Sequence, residues 1–295
     1  MRPGLSKQAR IDLHGYAFAI PFLIIYGLFT LWPIISGLRM SFSNVSLLGG
    51  GSPFVGFQNY SQALHDPDFW AALWHSVEFT IITTPPLVVF GLALALLANR
   101  AMPGRSLFRM AIFAPFVLPV TVVTLVWGWL YEPSFGLING FLTQLHLPTF
   151  SWLTDTRTAM PAVAITTIWW TLGFNFLLYL AGLQAIPREY YEASAVDGAN
   201  AWDQLWHVTI PLLKRTTVIV LILQVLASLK VFGQIYAMTG GGPDFSTRSE
   251  VEYVYEQGFT AYRLGYASAI SFLFFIVLLA VSVFQFGLFA RRRAE

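Results

Sequence analysis

Pro187-Arg188-Glu189-Tyr190-Tyr191-Glu192-Ala193-Ser194-Ala195-Val196-Asp197-Gly198-Ala199, running on to Val208-Thr209-Ile210-Pro211, is the long amphiphilic segment between two strongly apolar stretches. It carries the acids Glu189, Glu192, Asp197 and Asp203. Its local chemistry predicts a helix, a sharp stop and a second helix. Pro187 suits a first helical position, where its missing N–H costs nothing. Glu189 and Glu192 fall in the first turns, against the positive end of the helix dipole. Gly198 can end the helix in a left-handed conformation that a Cβ would penalise. Asn200, followed by Asp203, can cap the next helix. Ala193, Ala195 and Ala199 keep the element thin, so another protein can approach its backbone closely. A short helix of small residues between apolar stretches is shaped as a docking plug; an amphipathic loop lying on lipid headgroups is the alternative.

Working outward, the 295-residue chain is 56% hydrophobic and 11% charged, with mean hydropathy +0.62. A soluble domain carries about 25% charged residues, so most of this surface must face lipid or other apolar helices. The net charge of +2 and the lack of a basic stripe with interleaved aromatics argue against nucleic acid. Cysteine is absent, which excludes disulfides and thiolate chemistry. About 20 apolar residues span a ~30 Å hydrocarbon core. Stretches of that kind run over Tyr16–Leu38, Val77–Leu97, Leu107–Leu130, Ala162–Leu183, Val218–Met238 and Tyr266–Phe289. The first reads as a retained span, since its polar start lacks a small-residue cleavage site. Pro21, Pro33, Pro85, Pro86, Pro115 and Pro119 within these stretches predict kinks, not breaks. The expected fold is all-α, six transmembrane helices in a single domain over residues 1–295, with residues 188–207 between the fourth and fifth spans.

Charge placement orients the chain. With the N-terminus inside, Arg2, Lys7, Arg10, Arg100, Arg105, Arg109, Arg188, Lys214, Arg215, Arg291, Arg292 and Arg293 all fall on the cytoplasmic side. The outer loop from Ser41 to His75 holds no Lys or Arg. Both termini and the Glu192 segment are therefore expected in the cytoplasm, the compartment of ATP. Lys230, counted about 28 Å up a helix that starts at Pro211 at ~1.5 Å per residue, is expected to snorkel near the outer surface. Two aromatic outer segments, Gly56–Trp70 and Tyr131–Met160 with Phe150 and Trp152, read as interfacial anchors or as a landing surface for an external protein.

No catalytic constellation is present. Gly240-Gly241-Gly242 is followed by Pro243 and Asp244, not Lys, so it reads as a tight turn and not as a phosphate loop. His14, His65, His75, His146 and His207 are scattered, without metal-ligand spacing. Asp66 and Asp68 read as helix caps. The residues suited to binding lie in the spans that flank the docking segment. Thr167, Trp170, Thr171 and Phe174 share one helix face, as do Gln224, Ser228 and Val231. Aromatic rings beside hydroxyl and amide groups suit a neutral polyhydroxyl ligand better than an ion; interhelical packing is the other reading.

Glu192-Ala193-Ser194, then Gly198, then Val208-Thr209-Ile210-Pro211 at the spacing seen here resembles the "EAA" loop of ABC importer permeases. That family carries Glu-Ala-Ala, three residues, Gly, nine residues, Ile-x-Leu-Pro; Ser194, Val208 and Ile210 are small departures. Leu183 to Pro187, Asp197-Gly198-Ala199 and Thr239 to Pro243 resemble its sugar-uptake branch. The resemblance implies that Glu192, Ala193, Ser194, Asp197, Gly198, Ala199 and Pro211 couple to an ATPase. It also places the sugar-contacting positions of maltose-type permeases near Thr167, Trp170, Thr171, Phe174, Gln224, Ser228 and Val231. The implied partners are a second permease, two ATPase subunits that use ATP and Mg²⁺, an external substrate-binding protein and a sugar-type small molecule. The chain itself would bind no cofactor and do no covalent chemistry. A self-sufficient secondary transporter or channel is the rival; it calls for ionisable groups inside spans, and the six stretches hold only Glu78 as an acid.

The orientation is testable by labelling, because the chain has no cysteine of its own. Ser61→Cys is expected to react with a membrane-impermeant thiol reagent in intact cells, and Ser194→Cys only after the membrane is opened. The reverse pattern would overturn the charge argument.

Overall fold

The structure, a computed structural model, describes residues 19–49, 51–100 and 103–291. The polar start of the chain, the first residues of the expected first span, and Arg292 and Arg293 lie outside the described residues. In chain order the helices are α1 (Ala19–Ser41), α2 (Gln58–Leu64), α3 (Pro67–Asn99), α4 (Arg105–Val117), α5 (Val120–Leu130), α6 (Leu137–Gln144) and α7 (Ala159–Gln184). After these come α8 (Arg188–Val196), α9 (Ala201–Leu212), α10 (Lys214–Leu229), α11 (Gly233–Met238), α12 (Glu250–Tyr255) and α13 (Leu264–Arg291). Among the described residues α1, α3, α7 and α13 are each long and apolar enough to cross a membrane. The bent pairs α4–α5 and α9–α10 raise the crossings to as many as six.

Proline chemistry explains where the expected spans were drawn wrongly. The third stretch does not run through Pro119 as a kinked helix. It breaks, and α4 and α5 meet at 98°. The proline ring pushes the preceding residue out of the helical region, and Leu118 is extended at φ −69°, ψ 141°. Pro85 and Pro86, in contrast, stay inside the continuous α3. The fifth stretch also differs from expectation. Its helix, α10, starts at Lys214 and stops at Leu229, with Lys230 exposed at its end and not inside a span. Pro211 belongs to α9, which meets α10 at 61°. A wide π turn, Leu205–Thr209, precedes that proline, and another, Gly27–Leu31, precedes Pro33. Proline cannot donate to the carbonyl four residues back and its ring crowds it, so a widened turn relieves both problems.

The chain divides into two compact units. One takes the residues up to Asp66 together with Val254–Leu273. There Asn59 donates from Nδ2 to the Ser41 and Ser43 carbonyls at 2.8 and 3.1 Å, and fixes the turn after α1. Ser43 bridges Phe54, and Phe42, Phe57 and Tyr60 cluster beside them. Gly265 donates its N–H to the Val45 carbonyl, and Asp66 accepts from the Tyr266 hydroxyl. Asp66, directly before α3, is thus also a tertiary acceptor. In α1 the most apolar stretch is 0% buried, so its surroundings must be lipid or another chain.

The other unit takes Pro67–Tyr253 and the chain from Phe274 onward. Its centre is α7, packed on α3, α4 and α10. Two apolar clusters lie along these helices. One joins Phe79, Met160, Val163, Ala164, Val231 and Ile235; the other joins Ala95, Ala98, Phe176, Tyr179, Leu180, Leu183, Leu213 and Val220. In α3 and α7 the first cluster precedes the second, and along α10 and α11 the order reverses. So α3 and α7 run the same way and α10 runs against them, as alternating spans require. Small residues let the helices approach. A Cβ on Gly173 would meet the Ile112 carbonyl oxygen at 2.8 Å and Phe113 Cα at 2.9 Å, both backbone. One on Gly91 would meet Asn175 Cβ at 3.1 Å.

Gly173→Ala should therefore lower the melting temperature of the detergent-solubilised protein, by about 1–3 kcal/mol of overpacking. Gly128→Ala, where a Cβ meets nothing within 4 Å, should be neutral or stabilising. Equal melting of both variants would contradict the packing at Gly173.

Candidate functional site

A cavity of about 220 Å³ opens between the two apolar clusters. Thr167, Thr171 and Phe174 of α7 line it, with Gln224 and Ser228 of α10 and Val231 just beyond. Phe79, Phe116, Leu223, Ala227 and Gln234 complete the wall. No charged side chain lines it among the described residues. Phe174 stacks on Phe116 at 5.4 Å between centroids. Thr167 and Thr171 donate to the Val163 and Thr167 carbonyls, both at 2.8 Å, and keep their lone pairs for other donors.

Trp170 is not part of that wall. Its indole N–H donates to the Leu118 carbonyl at 3.1 Å, so it satisfies a backbone group at the Pro119 break. A face drawn from spacing alone cannot anticipate this, since it depends on where the neighbouring helix breaks. Gln224 is also better paired than the sequence suggests. Its Oε1 accepts from Asn175 Nδ2 and its Nε2 donates to Ser228 Oγ, both at 2.9 Å. Ser228 Oγ lies 3.0 Å from Thr83 Oγ1, which donates to the Phe79 carbonyl at 2.8 Å. Asn175 and Thr83 carry the only sequence signal available, polar side chains inside apolar runs.

At the other end of α7 the docking segment takes its predicted form. Pro187 precedes α8 in an extended conformation, one residue earlier than expected. Gly198 sits at φ +84°, and the Gly198 and Ala199 N–H groups return to the Ala195 and Ser194 carbonyls at 3.1 and 2.9 Å. Both bonds close the helix end in the way a left-handed glycine permits. Asn200 Oδ1 accepts from the Trp202 and Asp203 N–H groups, and Asp203 returns a bond to the Asn200 N–H, a complete capping box. Glu192, Ala193, Asp197 and Gly198 are exposed, as is Pro211 in α9; Ala199 is half-buried. The half-buried Ser194 and Tyr191 face α9. Gln204 Nε2 donates to the Tyr191 carbonyl and to Ser194 Oγ, both at 3.2 Å, and the Tyr191 hydroxyl is 3.0 Å from Thr209 Oγ1. These ties make α8 and α9 one body, with a roughly 510 Å³ recess behind it bounded by Leu96, Arg100, Leu183 and Trp202.

The Gly240–Pro243 run is a turn, with Gly240 and Gly241 at φ +55° and +78°. It folds over a buried charged group that the sequence did not reveal. Arg248, 5% exposed, pairs with Asp68 at 2.7 Å and stacks on Phe245 and Tyr253, while Glu250 and Glu252 are buried beside it in sequence. Asp68 is thus an ion-pair partner as well as a first-turn acid. Tyr131 is turned inward, not to an interface, and donates to the Ala162 carbonyl at 2.9 Å. Burial pushes its phenol up to about 12.

The family model of binding-protein-dependent transport system inner membrane components matches residues 87–295. The sulfoquinovosyl glycerol transport system permease protein SmoG of Agrobacterium fabrum is 35% identical over 263 residues, 89% of this chain and 85% of that protein. The trehalose/maltose transport system permease protein MalF of Thermococcus litoralis is 34% identical over 272 residues, 91% of each. In fold the chain is similar to one in the crystal structure of a bacterial ABC transporter involved in the import of the acidic polysaccharide alginate. The TM-score is 0.86 at 23% identity, with 98% of this chain and 99% of that one covered. The chain therefore belongs to the family of binding-protein-dependent transport system inner membrane components.

Proposed function

We propose that this multi-pass permease subunit carries a neutral carbohydrate or polyol derivative through the cavity between α7 and α10. The observation that carries the reading is the composition of that wall: hydroxyls, amides and stacked phenyl rings, and no charge among the described residues. Aromatic faces hold the C–H side of a sugar while hydroxyl and amide groups hold its rim. The similar proteins named for trehalose/maltose and arabinooligosaccharide transport support a sugar-type cargo.

Energy would come from two ATPase subunits that use ATP and Mg²⁺ and dock on the exposed face of α8. The hydrogen-bonded α8–α9 pair supports this role, because the helix tied to α8 leads directly into α10. The bundle would then rock between outward- and inward-open states as rigid bodies. A second permease and an external substrate-binding protein complete the assembly. A solved alginate transporter of this fold, in complex with a pentasaccharide-bound periplasmic protein, supports the latter. Both termini and α8 lie in the cytoplasm in this reading.

Glu192→Lys should leave the chain in the membrane but abolish co-purification of the ATPase and uptake. Gly198→Val should do the same, since a β-branched residue in the left-handed region costs roughly 1–2 kcal/mol and the helix end would rearrange. Normal uptake by Glu192→Lys at normal expression would remove that residue from the coupling surface. In the cavity, Gln224→Leu should change the relative uptake of different sugars while the ATPase still assembles. Unchanged rates and selectivity would place the pathway elsewhere.

A further inference from the structure

The side chains that touch the cavity do not set their own hydrogen-bonding direction. We infer that Thr83 and Asn175, which lie behind the wall, are positioning residues that fix which end of the Gln224 amide donates and which accepts toward the cargo. This rests on the cavity reading above and adds how its selectivity is set.

The chain of bonds takes its direction from the Thr83 end. Thr83 has a single hydroxyl hydrogen, and it goes to the Phe79 backbone carbonyl at 2.8 Å, a group that can only accept. Thr83 Oγ1 must therefore accept from Ser228 Oγ, 3.0 Å away. With its own hydrogen used, Ser228 Oγ can only accept from Gln224, so the amide nitrogen faces it at 2.9 Å. The amide oxygen then points to Asn175 Nδ2, also at 2.9 Å. A flipped Gln224 would leave its oxygen against a Ser228 with no hydrogen to give, and would set donor against donor at Asn175 unless that amide flipped with it. An unmade bond is costly in so buried a chain, where Thr83 is 0%, Asn175 1%, Ser228 3% and Gln224 7% exposed.

Each end of the Gln224 amide has used one bond and keeps one N–H and one lone pair. Gln224 and Ser228 line the cavity, whereas Asn175 and Thr83 do not. The cargo therefore meets a fixed donor on the Ser228 side and a fixed acceptor on the Asn175 side. A hydroxyl pair on a sugar has one arrangement that matches this polarity. Asn175 in turn packs against Gly91 of α3, where an added Cβ would lie 3.1 Å from the Asn175 Cβ.

The test uses the whole importer with its binding protein at saturation, reconstituted in liposomes. The probes are radiolabelled trehalose, maltose, glucose and glycerol, and the readout is the ratio of uptake rates for the carried compounds. A purely structural defect lowers the amount of active complex and scales all rates together, so it does not move this ratio. Thr83→Val and Asn175→Leu should each shift the ratio about threefold or more, in the direction that Gln224→Leu shifts it. Thr83→Ser should restore the wild-type ratio. Thr83→Val with Gln224→Leu should equal Gln224→Leu alone, as coupled residues require. If only one probe is carried, its rate per assembled complex replaces the ratio and Thr83→Ser decides. A wild-type ratio in both Thr83→Val and Asn175→Leu, beside a shifted Gln224→Leu, overturns the inference and leaves the cavity reading standing. If the wild type carries none of the probes, or Gln224→Leu changes nothing, the cavity reading fails and takes this inference with it. Failure of both variants to assemble would make the chain of bonds a folding element and also overturn it.

Discussion

A side-chain amide in hydrocarbon must find partners, and the pairing of Gln224 sets the geometry around it. Its bonds reach Asn175 on α7 and, through Ser228, Thr83 on α3, so three helices share one directional chain. Left unpaired, such a group costs ~1–3 kcal/mol, so the helices have little freedom to slide past each other without breaking it. The polar layer lies between two apolar clusters on all three helices. That arrangement produces both a cohesive bundle and a cavity with hydrogen-bonding capacity between the clusters.

Backbone chemistry supplies the rest. Pro119 breaks the third apolar stretch, and Trp170 donates to the Leu118 carbonyl at that break. Gly173 admits α4 to the face of α7 at a distance that a larger residue would forbid, and Gly91 lets α3 pack there tightly. At the far end of α7, Gly198 and the Asn200–Asp203 box join two short helices without a flexible joint.

Legibility followed the range of the interactions. The α8–α9 junction depends on residues within a few positions of each other, so its stop, its cap and its exposed acids were readable from Pro187 to Asp203. Helical periodicity likewise assembled Thr167, Thr171 and Phe174, and separately Gln224, Ser228 and Val231, which the fold brings to one cavity. What failed depended on distant or context-bound effects. Nothing in the sequence separates Pro119, which breaks a helix, from Pro85 and Pro86, which do not. The Arg248–Asp68 pair joins residues 180 positions apart, a separation that no local pattern spans. Trp170 fell on the right periodicity but serves a break that periodicity cannot see. The end of α10 at Leu229 followed the bend after Pro211, so a straight count to Met238 overran it.

A sugar path through this cavity requires α7 to present a wet polar face there while the rest of the helix is buried or lipid-facing. Water accessibility along α7 distinguishes the two faces. Thr171 lines the cavity, and Leu177 is 47% exposed and lines no part of that cavity. In an otherwise cysteine-free chain, Thr171→Cys should react with a small hydrophilic thiol reagent in membranes, and carried sugar should slow the reaction. Leu177→Cys should stay unreactive. Reaction at Leu177→Cys with Thr171→Cys inert would contradict the account.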